Sequence, residues 1–304
     1  MKVRIAVTPP NHALDGLEFV AYLEACEQLG FDTVWLSDIP LGPGGDPLVS
    51  LSFAAAATQR LKLGANIVPL GRNPLWLAKQ LAQLDQLSGG RLLLSFVPGL
   101  GSPPERAALG HAQVMRDRGR AVDQTIELLR RWWAGETVTA SMYGFDFNNI
   151  TVEPRPLQQP LEKWMGGKGT KALARVGGIA DGWLRSVMTP AEDAQGGRGT
   201  EAEAAAHQRC VDSDHFGISV PFTRTTADSN NYAALQQRRD DGDLSEVVAV
   251  GSTALSDLIR AHIDAGLSKF VLRSIEPDDA DHGRTMSWRD QLGWLVDNVL
   301  ALQT

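Results

Sequence analysis

The pair Gly166-Gly167, followed by Lys168 and Thr170, is the part of the sequence whose residue types best fit anion chemistry. Glycine lets a backbone approach a phosphate closely, and the amides at the start of a helix predicted from Thr170 would favour a negative charge. Lys168 would add a positive charge to such a site. A Gly-Gly pair is also common in simple turns, so these residues by themselves leave both interpretations open.

Other residues that carry chemistry are few and scattered. Cys26 and Cys210 lie far apart without a CxxC pair, which predicts buried free thiols rather than a disulfide or a zinc site. His12 follows the first predicted strand and is a candidate acid or base. Four other histidines lack neighbours that would complete a metal-ligand set, so we expect surface or local structural roles for His111, His207, His262 and His282.

The composition restricts the class of partner. The 304 residues carry a formal net charge of −7, with 43% hydrophobic and 21% charged residues, as in an ordinary soluble enzyme. This charge provides no basic footprint for nucleic acid. No run reaches the roughly 18 apolar residues of a membrane span, and the first ten residues do not resemble a signal peptide. We therefore expect a cytoplasmic protein.

Short β-rich runs alternate with helical segments along the chain. The predicted strands are 3–8, 33–37, 62–68, 91–97, 163–165, 183–185, 215–220 and 269–274, and the predicted helices are 15–29, 51–59, 74–88, 115–134, 170–180, 253–265 and 288–302. The alternation predicts an α/β fold with a parallel sheet, and eight strands favour a closed (β/α)₈ TIM barrel in a single domain, residues 1–304. An open, doubly wound sheet is the alternative, because periodicity does not show closure.

Three stretches interrupt this alternation. Residues 135–160 contain three prolines and predict a long excursion over the barrel. Residues 189–206 are rich in Ala, Gly and Glu and predict a mobile loop, and the polar stretch 223–243 is also predicted to be a loop. Long loops in compact enzymes are often lids, and disorder is the alternative.

Four segments, taken in order, resemble the luciferase-like, flavin- or deazaflavin-dependent oxidoreductases. They are 30–38, 72–92, 164–167 with 180–183, and 250–252 with 265–272. The Leu-Asp-Gln-Leu-Ser-Gly-Gly-Arg block at 84–91 is the most specific of them. The resemblance implies a luciferase-like barrel with loop insertions, in which the tricyclic ring of the cofactor lies across the C-terminal ends of the strands. That placement agrees with the usual position of active sites in such barrels.

The resemblance also implies which residues contact the cofactor. It implies a bulge near the end of the third strand, often with a non-proline cis peptide behind the ring. Gly99 and Gly101 would form a loop close to the cofactor. Asp38 and Ser186 each have a plain structural alternative, as a capping carboxylate and as a solvent-facing serine. The implied cofactor-binding residues are Asp38, Asn66, Ile67, Val68, Gly99, Gly166, Gly167, Lys168 and Ser186.

The sequence departs from the family pattern at two positions. Sugar-phosphate dehydrogenases of this superfamily that use coenzyme F420 place a histidine directly after the aspartate of strand two and a glutamate just after the glycine of strand four. Ile39 and Leu100 stand at these positions here. The sequence therefore identifies no catalytic residue, and the two apolar side chains favour a hydrophobic pocket wall and a less polar substrate.

Several functions remain open at this stage. The leading one is hydride transfer between coenzyme F420 and a small organic substrate, because the overall pattern is closer to the deazaflavin members. A monooxygenase that uses reduced FMN and a reductase partner is the second, and a non-catalytic flavin-binding protein is the third. A sugar-phosphate aldolase is disfavoured, since Lys168 is the only lysine near a suitable strand end. Family members commonly pair through helices beside the early strands, so the resemblance also implies a homodimer.

Overall fold

The structure is a computed structural model that describes residues 1–10, 14–109, 116–225, 230–236, 238–239, 243–275 and 287–304. His12, His111 and His282 lie outside these residues, as do parts of the predicted loop at 223–243. Within the described ranges, every helix is too short or too polar to cross a membrane. In the same ranges, no three His, Cys, Asp or Glu side chains are grouped as metal ligands would be.

Eight parallel strands form a closed ring, as predicted. The strands of the described residues are β1 Arg4–Val7, β2 Thr33–Ser37, β3 Lys62–Ile67, β4 Leu92–Phe96, β5 Val138–Met142, β6 Phe145–Ile150, β7 Lys163–Met165, β8 Gly182–Ser186, β9 Phe216–Thr223, β10 Ala249–Val250 and β11 Lys269–Ser274. The ring has the order β9-β11-β1-β2-β3-β4-β7-β8, and pairing of β8 with β9 closes it. All eight predicted strands are confirmed, and the fold is a (β/α)₈ barrel.

Helices follow most of the barrel strands and begin where the sequence offers caps. They are α1 Gly16–Leu29, α2 Pro47–Ala57, α3 Pro74–Leu87, α4 Pro103–Ala108, α5 Arg118–Trp133, α6 Thr170–Ile179, α7 Pro190–Ala206, α8 Asn230–Gln236, α9 Ser252–Asp264 and α10 Trp288–Asn298. Asp15, Asp46 and Asn73 each accept hydrogen bonds from the first-turn amides of α1, α2 and α3. Such caps satisfy donors that a helix start otherwise leaves free.

The chain divides into two compact units, which are described separately: Met1–Trp35 with Met165–Thr304, and Leu36–Trp164. The second unit contains the predicted excursion at 135–160. Strands β5 and β6 form an antiparallel hairpin there, with Met142 opposite Phe145. Phe147 packs edge-on against Trp132 of α5, with ring centroids 5.1 Å apart. The excursion is therefore an ordered ribbon that is held by aromatic packing.

The prediction of a mobile loop at 189–206 is wrong, because Pro190–Ala206 is helix α7. Thr189 and Glu192 form a reciprocal capping box: the Glu192 amide donates to Thr189 Oγ1 at 3.2 Å, and the Thr189 amide donates to Glu192 Oε2 at 2.7 Å. One of the glycines that suggested a loop, Gly196, is required for packing of the helix. A Cβ at Gly196 would lie 2.3 Å from Cη2 of Trp183, so close approach of α7 to β8 requires glycine there.

A buried ion cluster joins β8, α7 and α9 in the first unit. Asp193 lies 2.5 Å from Arg185 Nε through Oδ1 and 2.6 Å from His262 Nδ1 through Oδ2. Burial lowers the pKa of Arg185 to about 10, although the charge of Asp193 acts in the opposite direction. The Arg185 guanidinium also lies 3.6 Å from the centre of the Trp183 ring, a cation–π geometry.

The two cysteines and two of the histidines differ in their burial. Cys26 is buried in α1, and desolvation raises its pKa to about 12. Cys210 is exposed, so the prediction of two buried thiols is correct only for Cys26. His207 is exposed and lies 3.2 Å from Glu203, whereas His262 is buried in the ion cluster. These two histidines therefore have the local structural roles that were predicted.

Substitution of two glycines in α7 tests this packing. We expect Gly196→Ala to lower the free energy of unfolding by about 1–3 kcal/mol, because the new methyl group would overpack against Trp183. The matched control is Gly197→Ala, whose Cβ would meet nothing within 4 Å. That change should raise stability by up to about 1 kcal/mol through helix propensity. Urea unfolding measures both, and equal effects of the two substitutions would contradict the packing role of Gly196.

Candidate functional site

Asp38 anchors the end of β3 in the second unit. Its amide donates to the carbonyl of Asn66 at 3.0 Å, and its Oδ2 accepts from the amide of Val68 at 3.1 Å. Arg72 Nη2 donates to the same Oδ2 at 2.9 Å, and only 6% of the Asp38 side chain is exposed. The structure thus brings Asp38, Asn66 and Val68 together, and it commits Oδ2 of Asp38 to protein donors.

Arg72 links this anchor to helix α2. Its Nη2 also lies 2.8 Å from Oδ2 of Asp46, the residue that caps α2. Partial burial by itself would raise the pKa of Asp46, but the hydrogen bond and charge of Arg72 and the amides of the helix start hold that pKa below its ordinary value. The loops after β2 and β3 are therefore tied by one guanidinium and two carboxylates.

The end of β3 does not contain the implied bulge or cis peptide. The register with β4 is unbroken from Leu63 opposite Leu92 to Ile67 opposite Phe96. The cis peptide bonds among the described residues precede Pro154 and Pro160. The physical reason is that a trans backbone here is already satisfied, since Val68 donates to Asp38 and the Ile67 carbonyl accepts from Val97 at 3.0 Å. The expectation is therefore wrong on this point.

The side chains at the end of β3 differ in exposure. Ile67 and Val68 are buried in the core. Asn66 is partly exposed, and its Nδ2 donates to Ser37 Oγ at 3.4 Å. Of the three residues implied to back the cofactor ring, Asn66 alone has a side chain that is not in the core.

The loop after β4 is built around a buried carboxylate that sequence reasoning missed. Gly99 has φ +76°, and a Cβ there would lie 2.1 Å from Oε1 of Glu105. Glu105 is 4% exposed, and its Oε1 has no hydrogen-bond partner among the described residues. An unpaired buried carboxylate oxygen is costly in a fold. Glu105 is therefore a candidate for contact with a ligand.

The spacing of Ser102 and Glu105 contained part of this information. Ser102 caps α4, and its Oγ accepts from the Glu105 amide at 3.4 Å, which is the first half of a capping-box pattern. That pattern predicts a helix start. It does not predict burial of the carboxylate, which depends on the path of the loop around Gly99 and on Arg118, whose Nη1 donates to the carbonyls of Pro98 and Gly99 at 3.1 and 3.2 Å.

Ile39 and Leu100, the apolar residues at the family's polar positions, are both exposed in the second unit. The side chain of Ile39 lies over Gly42, where a Cβ would be 2.8 Å from Ile39 Cγ2. Exposed large apolar side chains at strand ends are available for contact with a ligand. Their role as a pocket wall stays a prediction.

The phosphate residues predicted in the first unit lie at the carboxyl ends of β7 and β8. Gly167 has φ +116°, and a Cβ there would lie 2.6 Å from Cβ of Ala172. Trp183 Nε1 donates to the Gly167 carbonyl at 2.9 Å, which fixes the turn. Helix α6 then begins after Gly169 without a side-chain cap. Its first amides are thus not used by a capping side chain, as an anion site requires.

Arg238 connects Lys168 with Ser186. Its Nη2 donates to Ser186 Oγ at 2.8 Å, and its carbonyl accepts from Lys168 Nζ at 3.2 Å. Burial lowers the pKa of Arg238. Burial and the positive charge of Arg238 also lower the pKa of Arg273, near the end of β11. Neither arginine was predicted as a site residue, because Arg238 lies in a polar stretch without a motif and Arg273 reads as part of a strand.

A thermodynamic cycle tests the contact between Gly99 and Glu105. We expect Gly99→Ala to be destabilising for two reasons, the positive φ, which costs about 1–2 kcal/mol, and the clash with Oε1. In a Glu105→Ala background the second contribution should disappear. The coupling energy from urea unfolding of the four proteins should lie in the usual range for contacting residues, about 0.5–3 kcal/mol. Additive effects would show that Glu105 does not occupy this position.

Comparison with known proteins identifies relatives with two kinds of cofactor. A putative coenzyme F420-dependent oxidoreductase from Mycobacterium tuberculosis is 31% identical over 199 residues, which are 61% of this chain and 53% of the relative. An FMNH₂-dependent dimethylsulfone monooxygenase from Pseudomonas fluorescens is 29% identical over 205 residues, 66% of this chain and 54% of the relative. The chain thus spans about half the length of the curated relatives it matches.

The fold comparison covers the whole chain. The structure of the coenzyme F420-dependent tetrahydromethanopterin reductase from Methanopyrus kandleri matches with a TM-score of 0.76 at 17% identity, over 100% of both chains. At this identity the match supports the fold alone. The model of the family described as Luciferase-like monooxygenase matches residues 4–261. Because that match covers most of the sequence and the barrel has the corresponding topology, the chain belongs to the luciferase-like monooxygenase family.

Proposed function

We propose that this chain is an oxidoreductase that binds coenzyme F420 and transfers a hydride to or from a small organic substrate. The observation that carries the proposal is the basic strand-end cluster of the first unit, where Lys168, Arg238 and Ser186 are joined by hydrogen bonds beside Gly166-Gly167. A phosphate group fits this donor set, because charged and hydroxyl groups lie beside a glycine turn and a helix start without a side-chain cap. The F420-dependent relatives support the deazaflavin as the bearer of that phosphate.

Each predicted residue has a definite part in this proposal. Gly166, Gly167, Lys168 and Ser186 would hold the phosphate of the cofactor. For the second unit, the family resemblance names Asn66, Asp38, Ile67, Val68 and Gly99 as further cofactor contacts. A bound deazaflavin supplies a ring carbon that exchanges a hydride with the substrate. The protein would then position the substrate and exclude water.

Hydride transfer to or from an oxygen-bearing carbon also requires movement of a proton. Glu105 is the candidate group, since its Oε1 is buried and unpaired among the described residues. A carboxylate in this state can accept a proton from a substrate hydroxyl or return one to it. This residue would replace the acid–base side chains whose family positions hold Ile39 and Leu100.

The second candidate function is an FMN-dependent monooxygenase that receives reduced flavin from a reductase. The FMNH₂-dependent relative supports it, and the same phosphate cluster would hold FMN. The two functions differ in the cofactor, because a deazaflavin has carbon where flavin has the ring nitrogen next to the oxygen-reactive position. Cofactor preference therefore distinguishes them.

Titration of the purified apoprotein with F420 and with FMN, followed by fluorescence, tests the proposal. We expect tight F420 binding and weak FMN binding. Ser186→Ala and Lys168→Ala should each weaken binding of the preferred cofactor by about tenfold. This is the effect of losing one charge-assisted hydrogen bond. Lys62→Ala, which removes an exposed charge at the start of β3, is the control and should leave affinity unchanged.

Each result of the titration has a clear meaning. A preference for FMN would replace hydride transfer by the monooxygenase and direct the search to a reductase. Binding without turnover over a panel of alcohols, carbonyl compounds and sulfones would indicate a non-catalytic flavin-binding protein. Binding of neither cofactor would reject the proposed function.

We also propose a homodimer that forms through helices α2 and α3. Val49 and Phe53 lie one turn apart on α2, and Trp76 lies on α3; all three are exposed. Exposed aromatic and aliphatic side chains on adjacent helices are typical of protein interfaces. Paired copies would bury them.

Sedimentation velocity tests the dimer. We expect the wild type to sediment as a dimer and Phe53→Glu or Trp76→Glu to sediment as a monomer, because a charge at the centre of an apolar interface is left without a partner. Leu17→Glu changes an apolar residue on α1 that is still more exposed and should leave the dimer intact. A monomeric wild type, or dimers of all three variants, would contradict the proposal.

A further inference from the structure

Large apolar side chains are exposed in the loops that follow β2 and β4 in the second unit. They are Ile39 and Leu41 after β2 and Leu100 after β4. Loops at the carboxyl ends of barrel strands are where such enzymes contact their substrates. A single exposed leucine needs no explanation, but apolar side chains grouped beside a candidate site indicate contact with an apolar ligand.

The turn that carries Leu100 is ordered by the protein itself. Gly99 and Gly101 on either side of Leu100 have φ +76° and +75°, a conformation that glycine adopts without steric cost. Arg118 Nη1 donates to the Gly99 carbonyl at 3.2 Å. Arg106 Nε donates to the Gly101 carbonyl at 2.7 Å. The Leu100 side chain is therefore exposed on a backbone whose polar groups are already bonded.

A glycine turn holds Ile39 in a similar way. The Gly42 amide donates to the Ile39 carbonyl at 2.8 Å, and Pro40 stands at the second position of the turn, where its fixed φ is favoured. A Cβ at Gly42 would lie 2.8 Å from Ile39 Cγ2, so the Ile39 side chain rests against the turn. Asp38, the preceding residue, is held by Arg72. Such order before binding lowers the entropy cost of contact with a ligand.

Val68, directly after β3, connects the two turns. Its amide donates at 3.1 Å to Oδ2 of Asp38, the residue before Ile39. Its Cγ1 would lie 3.7 Å from a Cβ at Gly99, the residue before Leu100. Strand β3 lies between β2 and β4 in the sheet. Ile39 and Leu100 thus follow residues that contact the same valine from its two neighbouring strands.

The loop of Leu100 also contacts the candidate for proton transfer. A Cβ at Gly99 would lie 2.1 Å from Oε1 of Glu105, and this oxygen has no hydrogen-bond partner among the described residues. A substrate oxygen bound to Glu105 would therefore place its carbon substituent near the turn of Leu100. An apolar substituent suits that position, because a charged or hydroxylated one would lose water without gaining a polar partner from Ile39 or Leu100.

We infer that Ile39 and Leu100 form an apolar clamp that selects alcohols or carbonyl compounds with an alkyl or aryl substituent. The inference rests on the proposed function and names its substrate class. The clamp binds the hydrocarbon part of the substrate, while Glu105 contacts its oxygen. Sugar phosphates and other strongly polar compounds are poor ligands for such a site.

Binding of 2-alkanones of increasing length tests the clamp. Ligand-observed NMR would titrate 2-butanone, 2-hexanone and 2-octanone onto the full chain, loaded with the oxidised form of whichever cofactor binds, or without cofactor if neither does. Affinity should rise about fourfold for each added methylene that becomes buried. Leu100→Ser and Ile39→Ser should each weaken 2-hexanone binding at least about fourfold, whereas Leu100→Met keeps the apolar area and should bind like the wild type.

Leu157→Ser is the matched control for Leu100→Ser. Leu157 is 60% exposed, compared with 65% for Leu100, and lies in the same unit before the amino end of β7. Its substitution should leave 2-alkanone binding unchanged. Equal wild-type affinities along the series, or equal effects of the two substitutions, would overturn the inference. A lower Tm for Leu100→Ser without ligand would also overturn it, because it would assign Leu100 to the fold.

Turnover of the matching 2-alkanols separates the clamp from the proposed function. Reduction of F420 is followed by its absorbance. If 2-alkanones bind with the expected dependence on length but no hydride transfer occurs, the proposed function fails and the clamp stands. If F420 is reduced by strongly polar alcohols and the 2-alkanones do not bind, the proposed function stands and the clamp fails.

Discussion

The buried contact between Arg185 and Asp193 is the interaction on which the candidate anion site of the first unit depends. Arg185 is the residue before Ser186 on β8, and Asp193 lies in the first turn of α7. Taking both charges out of water is costly, and the cost is offset only when they are held in contact. The pair therefore fixes the start of α7 against the end of β8, and His262 ties both to α9.

Several features of the site follow from that placement. The capping box of Thr189 and Glu192 starts α7 immediately after the strained Val187. Glu192 then pairs with Arg239, which positions the adjacent Arg238 beside Ser186. A positive φ at a β-branched residue persists only when the surrounding contacts determine it, and here the ion cluster, the cap and Arg239 provide those contacts.

In the second unit, the loops at the strand ends are held by a carboxylate that accepts hydrogen bonds. One carboxylate, Asp38, accepts from a backbone amide and a guanidinium, and it replaces the strand partner that Val68 lacks. After β4, Gly99 leaves room for Glu105, whose Oε1 has no hydrogen-bond partner in the part of the chain that the structure describes. The Asp38 carboxylate oxygen in the loop after β2 is used by hydrogen bonds within the protein, whereas the Glu105 oxygen after β4 is available for contact with a substrate. Asp38 therefore has a structural role through Oδ2, its contact with a cofactor stays a prediction, and Glu105 is the candidate for proton transfer.

The eight strands, their alternation with helices and the family can be inferred from the amino-acid sequence alone. A parallel strand buried on both faces must be apolar, and the turns between elements require glycine, proline and capping side chains. The sequence also indicates Gly166-Gly167 and Lys168 as candidates for phosphate binding, because glycine and a positive charge are recognised from residue type alone. Tertiary structure decided the rest. Gly196 reads as a loop residue until Trp183 lies against it, and the end of β3 needs no bulge because Asp38, thirty residues away, supplies the bond. Glu105 gains its character from burial, and Arg238 from its contact with Ser186. Both depend on contacts between distant segments, which leave no periodic pattern in the sequence.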